Sequence, residues 1–439
     1  MISRRIYSII LLIFLTPLTA LCTHTGNRYY TFLEKPENYV TRQRSFLDVA
    51  VFYETASTAF RRYGGSCGIP ELYGSYDLKD VITSLQTANP GENYNPIEEV
   101  TGSNYLEGKS LKFGNSGKIN TVGLTFNYEQ NLKFANLKDI TLGIWFPVMN
   151  TDVISRFQFN RKDFQESYRH LNDSEVQSID AIRRLTHKEI GFKGTNVSRG
   201  GIGDIDLHAR WNYFLDHKLM MRGINLCAQF GVNIPSGKKM DIDYPASVPF
   251  MNDGHWGVYL DLVSEFELKQ DLKVGLILGG LWQFDDTQNR RLAIGKEPTI
   301  YSALIGKVKI NPGNVFKVSP YLTLENLADG VNIQLRYTYL RHGMDTWQDE
   351  RVDQSIESYL DTFPHAGLTA EELEKNLSLK NQLSKWSANY FTIQVVYDSK
   401  SALKSWFLDP KIYASYDMPI SGNGFCKTNQ ITVGAQFFF

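Results

Sequence analysis

The sequence predicts an all-β chain, a transmembrane antiparallel β-barrel of about twelve strands, with fourteen as the alternative. Three observations predict it. The chain opens with an export leader and afterwards holds no uninterrupted apolar run of about 18 residues, so no later segment reads as a spanning helix. Apolar and polar residues alternate with period two from Leu47 to the last residue. The links between these alternating segments are by turns short and long. Composition agrees. The 439 residues carry 46 Lys+Arg against 47 Asp+Glu, with 26 Phe, 24 Tyr and 34 Gly. That balance excludes a disordered tail and a basic nucleic-acid binder. Four Cys exclude a disulfide-stapled small fold.

The leader comes first. Arg4 and Arg5 precede the apolar run Ile6–Leu15, and small residues follow near Ala20. This is a secretory signal peptide of bacterial type, assigned to residues 1–22. The run is about half the roughly 20 residues that a spanning helix needs. Cleavage after Ala20 and after Cys22 are both compatible with the sequence. Leu21 stands where lipid attachment to Cys22 would want a small residue. Residues 23–44 are expected to form a periplasmic N-terminal segment, and residues 45–439 the barrel.

The strands follow. Leu47, Val49, Val51 and Tyr53 alternate with Asp48, Ala50, Phe52 and Glu54. Val122 to Tyr128, Ile140 to Phe146, Ile205 to Tyr213 and Ile224 to Val232 repeat the pattern, as do Val258 to Leu262 and Val274 to Leu278. Pro320 to Leu324, Val331 to Tyr339, Asn389 to Tyr397 and Leu408 to Tyr416 continue it. The last strand alternates Ile431, Val433, Ala435, Phe437 and Phe439 with Gln430, Thr432, Gly434 and Gln436. A soluble sheet would show the same period. Polar residues on the inner set, aromatics at strand ends and the terminal Phe together favour a membrane barrel.

That terminal strand resembles the C-terminal signal of bacterial outer-membrane β-barrel proteins, porin-like in kind. Phe437 and Phe439 carry the resemblance, which implies recognition by the barrel assembly machinery and integral placement among outer-membrane lipid. No narrower family is suggested.

The links then set the topology. Short links fall at Ala135–Lys138, Asp216–Lys218, Lys269–Leu272, Asn326–Gly330 and Ser399–Lys404. Long links fall near 58–117, 151–200, 235–254, 285–315, 343–385 and 419–427. Short periplasmic turns and long external loops are the barrel pattern. With both termini periplasmic the strand count is even, so the β-like stretch Tyr301–Ile310 belongs to an external loop. A hairpin hidden in 58–117 would raise the count to fourteen. Val176, Ile179, Ile182 and Leu185 recur at helical spacing in one loop, and Thr369 to Glu372 reads as a capping box in another. Each predicts a helix, packed on a neighbouring loop or folded into the mouth. Gly200-Gly201-Ile202-Gly203 reads as a flexible loop end.

The complementary set faces inward. It includes Asp48, Glu54, Glu129, Asp204, Asp206, His208, Arg210, Asp261, Glu265, Glu325, Arg336 and Lys411. Such charges pair with one another or line a weakly cation-preferring path. Twelve strands lie between the filled eight-stranded barrel and the open porin, so the lumen is either narrow or plugged by a loop.

An enzyme reading rests on the rim. Strand register places His255 opposite Asp286, where a His and a carboxylate could activate water. No serine-nucleophile motif, zinc spacing or phosphate loop accompanies them, and the sequence calls for no metal or cofactor. Cys67 and Cys426 lie on loops flanking the seam between first and last strands, so a disulfide there is an open possibility. The leading expectation is passive or gated passage of small polar solutes. An envelope protein that binds through its large loops is the rival, with a rim hydrolase behind it.

Overall fold

A computed structural model describes residues 26–30, 32–33, 35–39, 45–88, 95–101, 106, 108–132, 140–216, 221–349, 381–399 and 410–439. Its strands, numbered along the chain, are β1 (Phe46–Ala56), β2 (Lys112–Leu132), β3 (Ile140–Phe159), β4 (Ile205–Asp216), β5 (Gly223–Ile234) and β6 (Gly257–Lys269). They continue as β7 (Leu272–Gln283), β8 (Val315–Ala328), β9 (Val331–His342), β10 (Trp386–Asp398), β11 (Lys411–Asn423) and β12 (Asn429–Phe438). These twelve form a closed antiparallel ring, each paired with its neighbours in sequence. Pairing of β1 with β12, from Phe46↔Phe438 to Thr55↔Asn429, shuts it. The even count brings the first and last strand ends to the same rim. That rim carries the short connections, including residues 270–271 and 329–330, and the opposite rim carries the long ones.

Alternation decides the faces. In β1, Asp48, Phe52 and Glu54 are buried while Leu47, Val51 and Tyr53 are exposed. The exposed belt continues through Leu124, Leu142, Leu207, Phe230, Ile393 and Val433. A charge on this face at mid-membrane depth would cost about 2–4 kcal/mol, which keeps it apolar. Aromatics mark both edges. Tyr128 stacks on Phe439 at the short-turn rim. Near the other rim, the hydroxyls of Tyr53, Tyr337 and Tyr416 donate to Asn120, Asn389 and Asn429. Inside, Tyr259 and Tyr321 lie flat over the cross-strand residues Gly231 and Gly275. A Cβ at either glycine would come within 2.2 Å of the ring.

The strands overrun the expected loop boundaries. β2 and β3 are 21 and 20 residues long and stay paired to Phe113↔Phe159, well into the segments read as links. Each satisfies the other's backbone whether or not lipid surrounds it. Asn196–Ile202 also pairs with β3 and runs into β4 through an irregularity at Gly203–Asp204, so the glycine-rich stretch is strand and not a flexible loop end. The link 419–427 is similarly shortened, because β11 reaches Asn423 and Phe425–Cys426 pairs with Ala59–Phe60. The stretch near 301–310 behaves as parity requires. Ile305–Asn311 joins Asp286–Arg291 and Thr346–Asp349 in a separate three-stranded sheet.

The long loops carry helices α2 (Leu78–Ala88), α3 (Pro96–Thr101), α4 (Arg161–Ser167) and α5 (Asp173–Glu189), after a short α1 (Pro36–Tyr39) nearer the N-terminus. Asn172 and Glu175 form a reciprocal capping box that starts α5. Ile179 and Ile182, from the helical spacing in the sequence, are fully buried in α5 against residues of the first loop. There Tyr76, Val81, Leu85, Phe113 and Tyr301 complete a second hydrophobic core, built entirely from loops and strand extensions. The capping box read at Thr369–Glu372 lies outside the described residues.

Candidate functional site

The interior is occupied by the chain's own N-terminal segment. Residues 23–44 were expected in the periplasm. Their described part, from Gly26 to Tyr39, runs instead through the barrel from the long-loop mouth downward. The physical reason is its side chains. Tyr29, Tyr30, Phe32 and Tyr39 are all at most 5% exposed, and burying such rings is worth more than leaving them in water. Tyr39 lies lowest, donating its hydroxyl to Asp261 at 2.5 Å beneath the Arg210 guanidinium. Lys35 pairs with Asp48 at 3.1 Å and lies over the Tyr413 ring. Phe32 meets Phe52 and Trp145 edge-on at 5.1 and 5.6 Å. Tyr30 bonds Thr151 at 3.0 Å, and Tyr29 donates to Tyr73 at 2.7 Å. At the top, Asn27 donates to the carbonyls of Pro249 and Met251, and Gly26 to the Asn252 side chain.

The inward charges are cross-paired around this plug. Glu129 meets Arg210 at 2.5 Å and His208 at 3.4 Å, with Asp206 2.7 Å from the other nitrogen of His208. Tyr259 donates to Asp206, and Gln229 bridges Tyr259 and Arg210. Lys317 reaches Asp261 at 3.3 Å, and Arg336 reaches Asp417 at 3.5 Å. Tyr321 donates to Glu265. A buried cation left without its acid would be costly, which explains the pairing. The space beside Lys35, Asp48 and His208 is about 50 Å³, room for a few waters only.

Among residues expected to line the lumen, Asp204, Asp206, His208, Arg210, Asp261, Glu265 and Arg336 are buried within the barrel. Glu325 and Lys411 are not. They sit at the short-turn rim, partly exposed, paired with Lys273 and Asp398. Strand ends there reach water, which solvates a charge whichever way it points. Asp204 accepts the backbone N–H groups of Gly237 and Asn252 at 3.0 and 2.9 Å. It therefore holds the loop that grips Gly26 and Asn27.

The rim pair does not form. His255 Nδ1 donates to the Phe284 carbonyl at 3.0 Å, and its Nε2 faces the Gln288 amide at 3.4 Å. Gln288 also donates to Asp286, which Lys239 neutralises at 2.6 Å. Burial holds His255 below its ordinary value, so the ring is neutral with both nitrogens occupied. The glutamine between His255 and Asp286 could not be read from register counting. Cys67 and Cys426 are both thiols. Each pairs with Ala59 from opposite sides, so a whole strand lies between them. Two strand spacings amount to about 10 Å between Cα atoms, beyond the roughly 7 Å that a disulfide spans.

Above the plug tip lies a cavity of about 170 Å³ at the mouth. Tyr29, Tyr73, Trp347 and Trp386 line it, together with Arg28, Asp253 and Arg290. Among the described residues no group of His, Cys, Asp and Glu is arranged to hold a metal ion.

A closed ring with an apolar outer belt, aromatic edges and a polar, filled interior defines a bacterial outer-membrane β-barrel protein. No family model matches the chain, and no curated protein matches it. Among solved structures it is similar to an outer membrane channel from Pseudomonas putida F1, at TM-score 0.48 and 10% identity, covering 93% of this chain and 100% of that one. It is also similar to a Pseudomonas aeruginosa FadL homologue (TM-score 0.32, 10% identity, 96% and 99% covered). A third is the Pseudomonas putida toluene transporter TodX (TM-score 0.32, 9% identity, 94% and 95% covered).

Proposed function

We propose that the protein is an outer-membrane channel for small solutes, closed at rest by its own N-terminal segment and opened when that segment moves. The observation that carries this reading is the run from Gly26 to Tyr39 inside the ring, with about 50 Å³ left beside Lys35. A protein needing only a rigid wall has no use for a separate strand of chain in its lumen. The described residues of the segment are bound by hydrogen bonds, the Lys35–Asp48 ion pair and ring contacts, all reversible. The chain reaches the membrane after removal of its signal peptide. Phe437, on the outer face of β12, and Phe439, just past its end, present the signal that the assembly machinery reads. Glu129, Asp261 and Asp417 keep cationic partners on the barrel wall, whereas Asp48 loses Lys35 when the segment moves, so the opened path prefers cations weakly.

The test is single-channel recording in planar bilayers on the full chain and on a variant lacking residues 26–39. The full chain is expected to show rare, brief openings, and the shortened chain long-lived ones with a weakly cation-selective reversal potential in a salt gradient. A shortened chain that folds, as judged by heat-dependent gel mobility, yet stays silent would overturn the channel reading. Loop binding would then be the better account, favoured by the separate hydrophobic core that the loops build.

A further inference from the structure

The mouth cavity has the size and the wall of a ligand site. An apolar cavity of about 150 Å³ accepts benzene, and this one measures about 170 Å³. Its aromatic wall is Tyr29, Tyr73, Trp347 and Trp386, with Ile300 and Ile310 beside them. A single ring, with one small substituent, fills such a space.

The charges on the wall say what that substituent is. Three guanidinium groups line the cavity. Arg290 is neutralised by Asp253. Arg291 is held by the carbonyls of Ile242 and Ser302 at 2.7 Å, away from any carboxylate contact among the described residues. Arg28 donates one nitrogen, Nη2, to the carbonyls of Leu383 and Ser384, both at 3.0 Å. Its Nη1 is buried and has no hydrogen-bond partner among the described residues, and the residue as a whole is 9% exposed. The nearby carboxylates are otherwise engaged: Asp345 accepts from Gly313 at 2.9 Å and faces His342 at 3.7 Å, and Asp241 accepts from Asp243. A buried donor left unmade costs free energy, and a cationic one costs more. A carboxylate oxygen satisfies it with a charge-assisted bond.

We infer that the mouth cavity binds a small monocyclic aromatic carboxylate, its ring against Trp347 and Trp386 and its carboxylate on Arg28. This rests on the channel reading and names the substrate class for it. Arg28 belongs to the plug, and the same guanidinium ties the plug to the loop end at Leu383 and Ser384. The ligand therefore docks on the moving part itself.

Benzoate is the probe, titrated calorimetrically into the full chain in detergent, with benzyl alcohol as its uncharged counterpart. Benzoate is expected to saturate one site and to bind at least tenfold more tightly than benzyl alcohol. Arg28→Gln is expected to remove that preference and leave benzyl alcohol within about twofold. Arg28→Lys keeps the charge without the planar fork and is expected to fall between the two. Ile310→Trp fills the cavity without touching Arg28 and is expected to abolish both. Equal binding of the two probes, or unchanged benzoate affinity in Arg28→Gln, overturns the proposal. The titration needs no current, so its failure is distinct from silence of the chain lacking residues 26–39.

Discussion

The two ends of the plug are held differently. At the lower end, Lys35 and Tyr39 meet carboxylates on barrel strands, Asp48 on β1 and Asp261 on β6. Those strands are fixed by a neighbour on each side. At the upper end, Gly26, Asn27 and Arg28 meet an Asn side chain and the carbonyls of two loops. The loops are fixed by local bonds such as those of Asp204 to Gly237 and Asn252. The lower end is thus a clamp on a rigid wall, and the upper end a clasp on parts that can shift. A plug built this way releases from the mouth.

The comparison can be broken most severely at the wall. Glu129→Gln leaves Arg210 in a dry interior without its carboxylate, and a loss of about 3–5 kcal/mol in barrel stability is expected from the urea unfolding midpoint. Tyr39→Phe removes the hydroxyl on Asp261 and leaves that acid with Lys317. Plug docking is expected to weaken by about 1–3 kcal/mol, seen as more frequent channel openings with an unchanged barrel midpoint. Asn27→Ala removes two bonds to loop carbonyls, each worth about 0.5–1.5 kcal/mol. Faster amide exchange is expected over residues 26–30, with residues 35–39 unaffected.

The smallest effect lies in the loop core and sharpens the contrast with the barrel. Burial pushes His187 from 6.5 down to about 3, helped by Arg183 and Arg291. The folded loops hold it neutral while unfolded loops take up the proton, so this stabilisation is complete above pH 6.5 and falls as pH drops toward 3. At pH 6 the loss is under about 1 kcal/mol. Amide exchange along α5 is expected to quicken on acidification, and His187→Gln to remove that dependence.

Much of the barrel was legible because lipid and interior impose opposite demands on successive residues. Leu47, Val51 and Val433 against Asp48, Glu54 and Gln430 state the face directly. Legibility fails where that demand ends. Beyond the belt, β2 and β3 stay paired with no lipid to select their outer residues, so their ends could not be read. Glu325 and Lys411 keep the parity but reach water. The plug has no period at all, because its backbone is irregular. Its available signal was composition: Tyr29, Tyr30, Phe32 and Tyr39 are too many rings for a linker in water. The free Arg28 nitrogen and the mouth cavity arise from loops distant in sequence, and only the fold brings them together.

The central claim is that passage depends on movement of this segment within the ring. Its most direct test joins Lys35→Cys to Asp48→Cys with a short reducible thiol cross-linker and records single channels before and after reduction. The expected result is silence while the link is intact and openings once it is cut. Openings of equal frequency in both states would contradict the account.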